Sequence, residues 1–204
     1  MVGVGRMSAD EYLLDTPVVR DFVAEVRAAI AAAASPAGAC DAIRPGFARL
    51  LADAAWLPRR FQQPNPESAM GGGIGQWLLF RAGDRSLTLF ALVVPPGSET
   101  PIHDHLAWGL VGLYRGTQDE EIYARDDAGV LTRSEARALR PGDFYALLPP
   151  RDDIHRVRTT SPETSVSLHL LTNDTGCVWR HAFDEHTGAA TPFRSGYVNV
   201  DCVG

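Results

Sequence analysis

Apolar positions in the first sixty residues recur at helical spacing. In "TPVVRDFVAEVRAAIAAAA" the residues Val19, Phe22, Val23, Val26 and Ile30 fall on one helical face, with Thr16 placed to cap the first turn and Pro17 just inside it. "SPAGAC" (35–40) then breaks the chain. A second helix is expected through Ile43, Phe47, Leu50, Leu51 and Ala54, ended by "WLPRRFQQPNPES". "GGGIG" (71–75) has neither the spacing nor the lysine of a phosphate loop and reads as a turn. From Gln76 on the pattern changes. "QWLLF", "SLTLFALVV", "WGLVGLYRG", "DEEIYAR", "FYALLP", "IHRVRTT" and "SVSLHLL" are short, β-rich runs parted by "AGDR", "PPGSE", "RDDAG", "RPGD" and "PPRDD". Such runs, with no long helix between them, predict an antiparallel sheet closed or sandwiched on itself rather than a parallel α/β sheet.

Composition narrows this picture. A chain of 204 residues with 45% apolar content can bury a real core, and a single domain is expected over 1–204, with helices over 1–65 and a barrel over 76–199. The formal charge of −6 leaves no basic face for nucleic acid. No apolar run is long enough to span a bilayer, and "MVGVGRMSADEY" does not read as a secretory leader. Cys40, Cys177 and Cys202 are odd in number, far apart and without a CxxC pair, which suits reduced thiols and a cytoplasmic location.

The six histidines carry the chemistry. In "PIHDHLAWGLVGLYRG" (101–116), His103 and His105 stand two apart. On an extended segment they share a face while Asp104 takes the other. Two imidazoles from one strand are half of a first-row metal site, and His155, at the start of a later β-rich run, is the candidate third ligand.

"PPGSETPIHDH" with its following "YRG", and later "RPGDFYALLPPRDDIHRV", resemble the two motifs of the cupin superfamily. That resemblance implies a mainly β fold, the cupin double-stranded β-helix or jelly-roll barrel, with the N-terminal helices as a layer upon it. The usual first motif adds a glutamate three or four residues past the histidine pair, where this chain has Trp108 and Gly109. Within the superfamily the chain resembles the thiol dioxygenases, the cysteine and 3-mercaptopropionate dioxygenase group, over about Gln76 to Asn199. "TPIHDHLAWGLVGLYRG", "PGDFYALLPPRDDIHRVRTT", "SVSLHLL" and "PFRSGYVN" carry the likeness. It implies Fe(II) held by His103, His105 and His155, with a small thiol and O2 as partners and a sulfinate as product. Three neutral imidazoles would leave the ion its full positive charge for an anionic, chelating substrate. Gly109 stands where the animal cysteine enzymes carry the cysteine of their thioether crosslink, so the mercaptopropionate type is the nearer resemblance and no Cys–Tyr cofactor is expected.

Two departures matter. Ser167 and His169 in "SVSLHLL" match a Ser-x-His-x-Tyr relay, but Leu171 stands in the tyrosine's place, with Tyr145, Tyr123 or water as candidate substitutes. The arginine that cysteine dioxygenases carry near Gly75 is absent. The mercaptopropionate enzymes place one eleven residues after the relay histidine, which here is Arg180, a group able to grip a substrate carboxylate through two parallel hydrogen bonds. Competing expectations keep the three-histidine iron and cleave a C–C or C–S bond of another chelating substrate, such as a diketone, or make the barrel a non-enzymatic metal-binding sensor. The assembly is expected to be a monomer or small homo-oligomer.

Overall fold

A computed structural model describes residues 9–202; residues 1–8 of the stretch read for a leader lie outside the described residues. After a short edge strand β1 (Glu11–Tyr12), helix α1 (Pro17–Ala32) begins at Thr16, whose side chain accepts from Val19 N, with Pro17 in the first turn. Helix α2 (Pro36–Ala52) begins sooner than the sequence suggests. Ser35 caps it by accepting from Gly38 N, so "PAGAC" is its first turn and the break is confined to residues 33–35. The buried faces of both helices are those their apolar spacing marks: Val19, Phe22, Val23 and Val26 on one, Ile43, Phe47, Leu50 and Leu51 on the other. Gly71, Gly72 and Gly73 all have positive φ and form the expected turn.

The remaining strands are β2 (Gly75–Arg81), β3 (Thr88–Val94), β4 (Ile102–His103), β5 (Gly109–Arg115), β6 (Gln118–Arg125), β7 (Leu131–Leu139), β8 (Phe144–Leu147), β9 (Ile154–Thr159), β10 (Ser165–Leu171), β11 (Arg180–Phe183) and β12 (Ala190–Phe193). They form two six-stranded antiparallel sheets, ordered β1-β2-β3-β10-β5-β8 and β12-β11-β4-β9-β6-β7. From β3 onward the chain passes back and forth between them: β3, β5, β8 and β10 lie in the first, and β4, the β6–β7 hairpin, β9 and β11 in the second. That alternation is the jelly-roll order, and the fold is mainly β with a helical layer, as the motifs implied. Strand β7 was missed because "LTRSEARAL" is charged and mostly exposed along its length; it is held by pairing with β6 alone.

The first sheet is buried on both faces, which is why its strands read as continuous apolar runs. Leu89, Ala91 and Val93 of β3, with Leu168 and Leu170 of β10, belong to the core shared with the helices. Phe90, Leu92, Val94 and Leu171 turn inward to a second cluster with Val111 and Leu147. Strand period alone therefore points Ser167, His169 and Leu171 into the barrel. Helix α2 lies close on β5: a Cβ on Gly112 would come within 2.7 Å of Leu51 Cδ1 and 2.9 Å of Phe47 Cε1.

The thiol reading needs correction. Cys177 and Cys202 form a disulfide across 25 residues, and only Cys40 is free, buried, with its thiol 3.5 Å from the Gly109 carbonyl. Separation in sequence hid the pair, because the segment after β12 folds back beside β2: Val198 N donates to Gln76 O, and Asn199 bonds both the amide and the carbonyl of Leu78. The argument for a cytoplasm from three reduced thiols falls with it. No helix among the described residues is long and apolar enough to cross a membrane.

Candidate metal centre

β4 and β9 are paired with His103 opposite His155, and His105 follows two residues on, just beyond the end of β4. The three rings gather inside the barrel with centroids 4.9, 4.9 and 4.7 Å apart, and one nitrogen of each lies within 4.8 Å of the others. All three residues are buried. Asp104 faces the other way, as alternation requires, accepting from the backbone N–H of His181 and lying 2.7 Å from its Nδ1.

Hydrogen bonds on the outer nitrogens decide which nitrogens point inward. His103 Nδ1–H donates to the Pro101 carbonyl at 2.8 Å, and His105 Nδ1–H donates to the Asp153 carbonyl at 3.1 Å. A carbonyl only accepts, so both imidazoles carry their proton on Nδ1 and a lone pair on Nε2. His155 Nδ1 lies 3.2 Å from the Tyr145 hydroxyl, and its buried Nε2 has no protein partner at all. Burial, followed by the nearby charges of Arg180 and the other histidines, pushes His103 and His105 well below the ordinary histidine range and keeps them neutral. Two neutral imidazoles with their lone pairs turned inward, and a third whose buried Nε2 is unsatisfied, fit a divalent first-row cation.

The same cavity, with about 10 Å³ open to a water-sized molecule, is lined by His103, His105, His169 and Arg180. His169 stacks on Phe90 at 4.8 Å, its Nε2 lies 3.0 Å from Ser167 Oγ, and its Nδ1 has no partner. Leu171 is fully buried among apolar side chains, so the relay ends at His169. Neither tyrosine offered in its place lines the cavity: Tyr123 OH bonds Glu121 at 3.1 Å, and Tyr145 serves His155 from outside. Gly109 admits no side chain where it stands, since a Cβ there would lie 1.8 Å from the Leu170 carbonyl oxygen.

No model of a known protein family matches the chain. Among solved structures it is similar to Peruvianin-I, a cysteine peptidase from Thevetia peruviana latex, at 21% identity over 60% of this chain and 74% of that one, with a TM-score of 0.44. An oxalate oxidase matches at 16% identity over 60% of this chain and 61% of its own, with the same TM-score of 0.44. A cupin 2 domain-containing protein from Halorhodospira halophila matches at 19% identity, 53% and 58% coverage and a TM-score of 0.35. The chain thus spans less than two thirds of the latter two. No activity carries over at such distances, and the site stands on its own geometry.

Arg180 opens β11 and is 3% exposed. Its Nη1 donates to the Asp104 carbonyl at 2.7 Å and its Nη2 to Ser195 Oγ at 2.8 Å, while Nε approaches the Thr175 carbonyl at 3.4 Å and Phe193 stacks under the guanidinium at 4.5 Å. One N–H on each Nη is left over. No carboxylate among the described residues pairs with it within 4 Å, although burial draws its pKa down only to about 10, so it stays cationic at neutral pH. A buried guanidinium without an anion is incomplete. Gln76, on the strand where an arginine was sought, also lines the cavity, and its buried Nε2 is unpartnered. A lone glutamine inside the apolar "QWLLF" run was the signal for it.

Burial first, then the charges of His155 and Arg180, lowers His169 to about 3. The sign follows directly: between about 3 and the unfolded value near 6.5 the unfolded chain binds the extra proton, so stability is full above that value and falls as the pH drops. Urea melts of the metal-free protein are expected to lose up to roughly 1.4 kcal/mol per pH unit from this group below pH ~6.5. His169→Phe should flatten that slope; an equal slope in both proteins would contradict the assignment.

Proposed function

We propose that the chain is a non-haem Fe(II) thiol dioxygenase that oxidises a small thiol carboxylate, of 3-mercaptopropionate or cysteine type, with O2 to a sulfinate (RS⁻ + O2 → RSO2⁻). The observation that carries this reading is a buried, carboxylate-free Arg180 in the same small cavity as His103 and His105, two of three converging imidazoles. Fe(II) on His103, His105 and His155 would supply thiolate affinity and the redox chemistry that adds both oxygen atoms to sulfur. Imidazole alone does not choose iron over zinc; iron enters through the motif resemblance.

The rest belongs to the chain. Arg180 presents its two free N–H groups to the substrate carboxylate, and the Gln76 amide adds a third donor from the opposite sheet. Thus anchored, the substrate turns its sulfur toward the three Nε2 atoms, the geometry that proximity catalysis needs. His169, neutral and held by Ser167, offers its unpartnered Nδ1 to the cavity as a hydrogen-bonding group in place of the relay phenol. A diketone needs no cation to seat it, so the unpaired Arg180 favours a thiol acid over that alternative.

The test is oxygen uptake by the iron-loaded protein with 3-mercaptopropionate, cysteine and thiols lacking a carboxylate. Uptake is expected with the first two, with sulfinate formed one for one with O2 consumed. Silence with every thiol would reject the proposal.

A further inference from the structure

The carboxylate absent from the ligand set lies one residue further out. Glu120 sits on β6, where alternation turns Gln118, Glu120 and Ile122 inward and leaves Asp119 and Glu121 on the wetter face. It is 1% exposed, and its carboxylate meets no cationic side chain, only the Tyr145 hydroxyl. The nearest cationic or proton-bearing nitrogen is His155 Nδ1, at 3.9 Å from Oε2. Tyr145 lies between the two: its hydroxyl is 3.2 Å from the same nitrogen, and burial, then the charge of Glu120 and a hydrogen bond to it, push its phenol well above the ordinary tyrosine range. Arg137 stacks over the Tyr145 ring, but its bonds go to Glu135 and Asp152 rather than to Glu120.

A buried carboxylate with a phenol but no cation beside it is costly, and a fold that retains one needs a positive charge to meet it. Arg137, whose buried Nη1 is itself unpartnered, makes no ion pair with Glu120 within 4 Å, which leaves a cation arriving at the other end of the His155 ring. We propose that Glu120 is a positioning residue for the metal: with Tyr145 it holds the His155 proton on Nδ1 and supplies the negative charge that compensates a cation bound at Nε2. This rests on the reading of His103, His105 and His155 as metal ligands. It also revises the electrostatics of the site, since a divalent ion there would be partly neutralised through His155 without giving up an open coordination position.

The two states of the protein should respond to Glu120→Gln with opposite signs. Co(II) is titrated into metal-free wild type and variant, with affinity read from its visible absorption, and the melting temperature of each metal-free protein is measured separately. Removing an uncompensated charge is expected to leave the metal-free melting temperature unchanged or raised, while Co(II) affinity falls roughly 10- to 100-fold, the usual effect of losing a ligand's outer partner. Tyr145→Phe keeps the carboxylate and is expected to weaken binding less. A variant that binds Co(II) within threefold of wild type, melts lower or fails to fold without metal, or is exceeded in its effect by Tyr145→Phe, overturns the role given to Glu120. Wild type that binds no Co(II) overturns the metal reading itself, which separates the two failures.

Discussion

Arg180→Ala is expected to lower kcat/KM for a thiol carboxylate about 30- to 1,000-fold, most of it in KM. The size follows from removing one side of a buried charge-assisted pair, a loss of about 2–4 kcal/mol. Arg180 also ties the Asp104 carbonyl to Ser195, so the control is a thiol of similar size without a carboxylate, whose slower turnover should change little. Arg180→Lys should recover only part of the loss, because an ammonium offers a point charge where the site is built around a planar fork. Oxygen-uptake kinetics on both substrates decide it. Equal losses for both would make Arg180 a structural residue, and no loss would remove the carboxylate from the substrate description.

Much of this site was legible in one dimension because strand geometry is periodic. An i, i+2 pair of histidines must share a face, and the same rule put Ser167, His169 and Leu171 on the inner wall. What period cannot supply is which acid of "DEEIYAR" turns inward: Asp119, Glu120 and Glu121 look alike until β6 is placed against β9, where Ile122 stands opposite His155 and Glu120, two residues away, reaches it diagonally. The disulfide escaped for a related reason. Cys177 and Cys202 become neighbours only after the C-terminal segment folds back over β2, a long-range closure that spacing does not announce. Strand β7 was hidden because edge strands need no apolar face, and its glutamate and arginines serve solubility on a sheet margin. The departure at Leu171 was visible in the sequence, but its consequence was not. Packed at zero exposure among Phe90, Val111 and Leu147, it makes the relay position part of the barrel core.

His155→Ala is expected to have the largest effect of any single change, because it combines two losses of opposite visibility. His155 is fully buried, its Nε2 is left without a protein partner, and its other face meets Tyr145 and Glu120. Deleting the ring leaves a void, so the metal-free protein should lose about 2–4 kcal/mol of stability. Loss of a direct ligand should cost more metal affinity than the 10- to 100-fold of an outer partner, and turnover should fall to background. The two contributions separate in thermal melts with and without Fe(II) under anaerobic conditions. Wild type at a hundredfold excess of metal over its dissociation constant should gain about 2.7 kcal/mol, reversed by a chelator, and the variant should gain nothing. His181→Ala provides the contrast: that imidazole is half exposed and bound to Asp104 on the outer face, so its loss should leave the metal-induced gain intact. If His155→Ala kept the gain and His181→Ala lost it, the ion would belong on the outside of the barrel, and the cavity holding Arg180 and Gln76 would have no metal to face.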